Sequence, residues 1–282
     1  MNIKATTKVY GIFGHPVNHS LSPEMHNAAF QALRLDCVYL AFDVHPKDFE
    51  VAARAIRSMG ISGVNVTIPH KESMVFFLDE ISPEASLTGA VNTVKNVDGK
   101  LTGYNTDVGG FMRAIKEELS VHPKGLNAAV IGAGGAARAV LSSLCMNEAG
   151  QIYVINRTLD KGKRLATEFK KAFKDTVLHA VSLDDKDEIT SVLSASNLLV
   201  NAASAGMKGV DSVEMPLEAL PKNAVIYDLV YDPRETSLIK TANELGLKAA
   251  GGLSMLLYQG VESFEIWTGK DAPVEVMRKA LE

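Results

Sequence analysis

The sequence predicts an α/β protein of two domains. Three observations carry that expectation. Short apolar, β-branched runs alternate with amphipathic stretches along the whole chain, the pattern of strands covered by helices. At 282 residues the chain is long for one hydrophobic core and comfortable for two. A glycine-rich turn, Val130-Ile131-Gly132-Ala133-Gly134-Gly135-Ala136-Ala137, opens in mid-chain with a whole domain's length ahead of it.

The elements follow in order. Val9–Phe13 reads as a strand. Pro23–Leu33 reads as a helix, with Ser22 at its N-cap and Pro23 at the first helical position, where a missing N–H costs nothing. Val38–Val44 is a strand, Lys47–Met59 a helix stopped by Gly60, Gly63–Val66 a strand and Lys71–Leu78 a helix. Ala90–Val94 and Lys100–Thr102 flank Asp98-Gly99, a hairpin signal. Asp107–Leu119 is a helix, and Ser120–Asn127, with Pro123 and Gly125, is a linker. Strands then fall near 127–131, 151–155, 176–181, 197–200 and 224–229, with helices between them and parallel sheets implied. Leu253–Thr268 and Pro273–Leu281 are helical and fold back on the first domain. The expected division is 1–106 with 254–282 against 107–253.

The glycine turn has the layout G-x-G-x-x-A between a buried strand and a helix, which makes the second domain a Rossmann-type, doubly wound nucleotide-binding domain. Gly132 permits the sharp turn, Gly134 lets the backbone approach a pyrophosphate, and Ala137 allows close packing of helix on strand. The helix N-terminus at Ala133, Gly135 and Ala136 presents free N–H groups to phosphates. The next strand, Gln151–Ile155, ends in Asn156-Arg157-Thr158 rather than in an acid. A carboxylate there would accept from the ribose 2′-OH and repel a 2′-phosphate; Arg157 would pair with that phosphate, helped by Asn156, Thr158 and Lys161. This favours NADP over NAD. The plainer alternative makes Arg157 a solvated loop residue and Thr158 only a helix cap.

Bulk properties exclude several classes. A formal charge of -4 and no basic stripe argue against a nucleic-acid binder. Apolar content is 46% without a run long enough to span a bilayer, and Met1–Lys8 is polar, unlike a signal peptide. Cys37 and Cys145, in apolar settings with no C-x-x-C, read as buried reduced thiols in a cytoplasmic protein. His15, His19, His26 and His70 fall in what read as loops, but their spacing fits no zinc pattern, so no metal is expected.

The first domain holds polar clusters at strand ends, where α/β folds place chemistry: His15–Pro23, Asn65–Lys71, Ala90–Thr93 and Gly103–Asp107. Hydroxyls, amides, a lysine and a carboxylate suit a small polyhydroxylated acid, because such groups match substrate hydroxyls one by one.

Taken together, Ser20-x-Ser22-Pro23, Asn65-Val-Thr67-x-Pro-x-Lys71, Gly89-Ala-Val-Asn92-Thr, Gly103-x-Asn105-Thr-Asp107, the Gly132 turn, Asn156-Arg157-Thr158 and Gly252-x-x-Met255-x-x-x-Gln259 resemble the shikimate dehydrogenase family, from about residue 9 to the end. The resemblance implies NADPH-dependent reduction of 3-dehydroshikimate to shikimate, with the substrate between the two domains. It implies that Ser20 and Ser22 hold the substrate carboxylate, that Lys71 and Asp107 bracket the reacting hydroxyl and its neighbour, and that Asn65, Thr67, Asn92 and Gln259 bind ring hydroxyls. It implies further that Tyr231 reaches the substrate from the cofactor side and that Leu229 and Gly252 line the nicotinamide pocket. Monomers and homodimers are both compatible with it. Hydride delivery to a carbonyl leaves negative charge on oxygen, which a positioned ammonium stabilises or protonates; either role stays open for Lys71. Ala203 and Lys161 depart from the pattern, the first losing a hydroxyl and the second a bidentate fork.

Plainer alternatives stand beside these roles: a surface ion pair for Lys71 and Asp107, a strand end for Asn92, a core aromatic for Tyr231 and an exposed polar position for Gln259. Rival functions are a quinate/shikimate dehydrogenase using NAD or NADP, a reductase of another carbonyl and a non-catalytic NADP-binding sensor. The Gly132–Thr158 segment also resembles the nucleotide domain of glutamyl-tRNA reductase, whose nucleophilic cysteine has no counterpart in buried Cys37 or Cys145.

Overall fold

A computed structural model describes residues 3–282; Met1 and Asn2, the head of the polar leading segment, lie outside the described residues. The chain divides into two compact units, Met1–Gly110 with Leu257–Glu282, and Phe111–Leu256. Both divisions fall inside helices, a few residues after the positions expected from the sequence.

The first unit contains β1 (Lys8–Gly14), α1 (Ser22–Ala32), β2 (Cys37–Asp43), α2 (Phe49–Ser58), β3 (Gly63–Val66), β4 (Glu80–Ile81), α3 (Pro83–Thr88), β5 (Thr93–Val97) and β6 (Lys100–Tyr104). Then α4 (Thr106–Leu119) leads into the second unit. The sheet order is β2-β1-β3-β5-β6-β4. It is mixed rather than parallel: β5 runs antiparallel to both β3 and β6. The Asp98-Gly99 hairpin sets this polarity, with both turn residues at positive φ (52° and 85°), the geometry that follows the right-handed strand twist. Its consequence is functional. The ends of β1, β3 and β6 and the start of β5 gather at one sheet edge, where Asn65 pairs with Thr93 and Thr93 with Tyr104.

Ser22 is not the N-cap of α1 but its first residue; Leu21 is the N-cap, and Ser20 Oγ accepts from the Ser22 N–H at 3.3 Å. Lys71–Leu78 is not an α-helix; only Ser73–Phe77 turns, as a 3₁₀ helix. Arg57 takes the Phe77 carbonyl and Asp79 N–H bonds to Leu101 O, so the chain is drawn into the sheet before a second turn forms. His26, grouped with the loop histidines although Pro23–Leu33 reads as a helix, lies on α1 inside the core.

The second unit contains β7 (Ala128–Ile131), α5 (Gly135–Met146), β8 (Gln151–Asn156), α6 (Leu159–Ala172), β9 (Val177–Ser182), α7 (Lys186–Ser194), β10 (Leu198–Asn201), β11 (Val225–Asp228), α8 (Ser237–Glu244) and β12 (Lys248–Gly251). All its strands run parallel in the order β12-β11-β10-β7-β8-β9, the doubly wound arrangement. Strands β7 and β10 are buried at every residue, as a sheet covered on both faces requires. Strand β12 has no apolar alternation and is not evident in the sequence. Finally α9 (Leu253–Thr268) and α10 (Val274–Lys279) return the chain to the first unit, where α10 packs on α1.

Candidate active site

Lys71 follows β3, and Asp107 opens α4 after β6. Their side chains meet at the shared sheet edge, Lys71 Nζ donating to Asp107 Oδ2 at 2.6 Å, with side-chain exposures of only 19% and 10%. This is not a solvated surface pair. Each partner is held in turn. His70, next to the lysine, is buried, stacks on Phe49 with ring centres 4.2 Å apart and bonds through Nε2 to Val44 O at 2.6 Å. Burial lowers its pKa from the usual value, so the ring is neutral and donates. Asp107 receives a second hydrogen bond from Asn92 Nδ2 at 2.9 Å, and its N–H bonds to Asn105 Oδ1 at 3.2 Å.

A dense hydroxyl and amide network surrounds the pair. Asn92 donates to Thr106 Oγ1 at 3.0 Å and accepts from the Thr106 N–H at 2.8 Å. Asn65 accepts from Tyr39 Oη at 2.7 Å and donates to Thr93 Oγ1 at 3.0 Å and Ser263 Oγ at 3.1 Å. The amide donors of Asn65 and Asn92 are thus engaged by protein groups, which makes both residues braces for the edge. Thr67 is half-buried, its methyl against the Gly14 backbone and its N–H on Phe13 O. Ser20 is half-buried and Ser22 buried, and burial of Tyr39 raises its phenol while the Ser22 hydroxyl bonds to it. Gln259 is 8% exposed on α9, not a solvent-facing position. Thr93 and Thr106 lie within the polar clusters of the sequence but carry no assigned role there, and Tyr39 and Ser263 belong to no local pattern; Thr93 and Ser263 are 170 residues apart.

In the second unit Gly132 has φ +112°, and a Cβ there would sit 3.1 Å from the Ala202 carbonyl, so the tight turn requires glycine. No side chain caps α5, and a Cβ at Gly134 or Gly135 would meet open space. Ala133 and Ala136 complete the half-buried turn. Its uncapped N–H groups beside that space fit a pyrophosphate. At the end of β8, Asn156 Nδ2 bonds to Thr158 O at 2.8 Å, fixing the turn in which Arg157, Thr158 and Lys161 are exposed. Thr158 is the N-cap of α6 by position but makes no side-chain cap bond. Neither Arg157 nor Lys161 pairs with a carboxylate among the described residues, so both cations are available to a 2′-phosphate. After β11, Asp228 accepts from Asn201 Nδ2 at 2.8 Å, Thr236 Oγ1 at 2.6 Å and the Val230 N–H at 3.1 Å. These bonds set the course of the segment carrying half-buried Leu229 and Tyr231. Burial raises the Tyr231 phenol, so it is a neutral donor at physiological pH. Gly252 lies flat on Leu229, where any Cβ would collide with the Leu229 carbonyl. Among the described residues no group of three or more His, Cys, Asp or Glu is arranged to hold a metal ion.

Similarity to known proteins extends along nearly the whole chain. Residues 12–94 match the shikimate dehydrogenase substrate binding domain, 114–232 shikimate / quinate 5-dehydrogenase, and 252–282 the shikimate 5′-dehydrogenase C-terminal domain. A relative from Methanopyrus kandleri, named shikimate dehydrogenase (NADP(+)), is 46% identical over 100% of this chain and 97% of its own. A crystal structure of a shikimate dehydrogenase in complex with NADP+ is 43% identical, covering 99% of this chain and 96% of that one, with TM-score 0.90. The Listeria monocytogenes shikimate 5-dehydrogenase, solved with shikimate and NAD, is 36% identical over 100% and 99% of the two chains, with TM-score 0.92. The chain belongs to the shikimate dehydrogenase family.

Proposed function

We infer that the chain catalyses the reversible, NADPH-dependent reduction of 3-dehydroshikimate to shikimate. The observation that carries this reading is the Lys71–Asp107 couple, 2.6 Å across and largely buried, set among hydroxyl and amide groups at one sheet edge. Family membership over the whole chain supports it. NADPH, when bound, supplies the hydride. The turn Gly132–Ala136 would hold its pyrophosphate, Asn156, Arg157, Thr158 and Lys161 its 2′-phosphate, and Leu229 and Gly252 its nicotinamide.

The chain's own residues then do the rest. Lys71 places an ammonium at the carbonyl oxygen, where reduction builds negative charge; Asp107 aims it and Asn92 aims Asp107. Ser20 and Ser22 offer hydroxyl donors to the substrate carboxylate. Thr67, Gln259 and Tyr231 supply further polar contacts to the ring hydroxyls, while Asn65 and Asn92, their amides engaged by Tyr39, Thr93, Thr106, Ser263 and Asp107, brace the edge on which those contacts stand. Such matched pairs reject analogues that lack a hydroxyl. The two buried free cysteines support a cytoplasmic location.

The test is direct: NADPH consumption with 3-dehydroshikimate, with shikimate identified as the product. Consumption without shikimate would reject the assignment. A second reading, use of NAD, is favoured by one observation: the exposed Lys161 carries charge but no planar fork, which weakens selection for a 2′-phosphate.

A further inference from the structure

Helix α4 carries two adjacent glycines, Gly109 and Gly110, in its interior, where each costs roughly 1 kcal/mol relative to alanine. Close approach explains both. A methyl at Gly110 would sit 2.8 Å from the Gln259 backbone nitrogen and 3.0 Å from its Cα, and one at Gly109 would collide with the carboxylate of Glu262. Helices α4 and α9 therefore cross backbone to backbone, and the half-buried Glu262 carboxyl is laid on α4 two residues beyond Asp107. The next residue of α9, Ser263, reaches Thr106 Oγ1 at 3.2 Å and Thr93 Oγ1 at 2.8 Å, so the crossing abuts the braces of the site.

We propose that Glu262 is a positioning residue for the Lys71–Asp107 couple: as a neutral acid it adds no second negative charge beside Asp107, and as an anion it retards ketone reduction. Among the described residues the charged groups that act on Glu262 are acidic: Glu84 on α3, Asp107 on α4 and Glu265 on α9 itself. Burial and these neighbours raise its pKa to about 7, so it changes charge in the working range of an enzyme. The direction of its effect follows from the charges. Reduction builds negative charge on the substrate oxygen and draws on the positive charge of Lys71. A second anion at the crossing opposes both, whether Lys71 gives up its proton or keeps it.

The proposal rests on the reading of Lys71 and Asp107 as the reducing couple. Its test is kcat for 3-dehydroshikimate reduction from about pH 6 to about pH 8.5 in the wild type and in Glu262→Gln. The wild type falls roughly three- to tenfold across a step near 7, whereas Glu262→Gln matches it at low pH and lacks the step, with KM for the ketone unchanged. Parallel profiles would overturn the proposal. If Glu262→Gln fails to fold, carboxyl-carbon NMR of the wild type and Asp107→Asn decides. Coupling requires the Glu262 midpoint to move down when the Asp107 charge is removed, and an unmoved midpoint would overturn the proposal. This measurement needs no turnover, so absence of shikimate chemistry would reject the activity alone and leave the coupling separately testable.

Discussion

His26 gives the sharpest test of the physical description. Its ring is fully buried on α1, stacked on Tyr39 with centres 4.5 Å apart, 5.3 Å from Trp267, and neither ring nitrogen has a hydrogen-bond partner among the described residues. Burial alone pushes its pKa from 6.5 down to about 3. Between those values the unfolded chain binds a proton that the folded chain excludes, so stability is full above about pH 6.5 and drains as pH falls toward 3. At about pH 4.5, two units below the unfolded value, the loss from this residue is about 2 to 3 kcal/mol, at about 1.4 kcal/mol per unit. The perturbation is His26→Leu, and the assay is urea unfolding at about pH 7.5 and pH 4.5. Trp267 is the only tryptophan and lies in the same unit, so its fluorescence reports the unfolding of that unit. The readout is the difference between the two pH values, which cancels any packing change. The wild type loses about 2 to 3 kcal/mol more than His26→Leu on acidification. Equal losses would show that the ring is protonated in the fold and would refute the burial argument.

Other expectations follow from the same geometry. Lys71→Ala lowers kcat by roughly 10²- to 10⁴-fold while NADP+ affinity, measured by fluorescence titration, stays within about twofold, because the lysine is not one of the groups that would hold the nucleotide's phosphates. Arg157→Ala raises KM for NADP+ by about tenfold or more and leaves KM for NAD+ unchanged in steady-state assays, the loss expected for a charge-assisted phosphate contact. Gly252→Ala forces a methyl into the Leu229 carbonyl and destabilises the second unit by about 1 to 3 kcal/mol in thermal unfolding, an effect that bound NADP+ partly offsets.

The parallel second sheet was legible because its strands are apolar on both faces and punctuated by glycine and polar turns, as at Val130–Gly134. The first sheet was legible only in part. Its mixed polarity depends on one hairpin, and β4, two residues long, exists because Arg57 and Leu101 capture the chain near Asp79. The site divided along similar lines. Lys71 and Asp107 stood out as polar groups at strand ends, and the 36-residue gap between them closes because β3, β5 and β6 share an edge. The braces did not stand out. Ser263 and Trp267 reach the front of the chain from α9, and nothing in a linear pattern tells a buried serine from an exposed one. His26 looked like one of several loop histidines; its burial is a tertiary fact set by Tyr39 and Trp267.

The most direct measurement of the central claim is the appearance of reduced nicotinamide absorbance with shikimate or quinate and NADP+ or NAD+, in all four pairings, for the wild type and Asp107→Asn. The highest kcat/KM is expected for shikimate with NADP+, with a loss of roughly 10²-fold or more in kcat for Asp107→Asn. Turnover of quinate with NAD+ above that of shikimate with NADP+, or an Asp107→Asn enzyme as fast as the wild type, would contradict it.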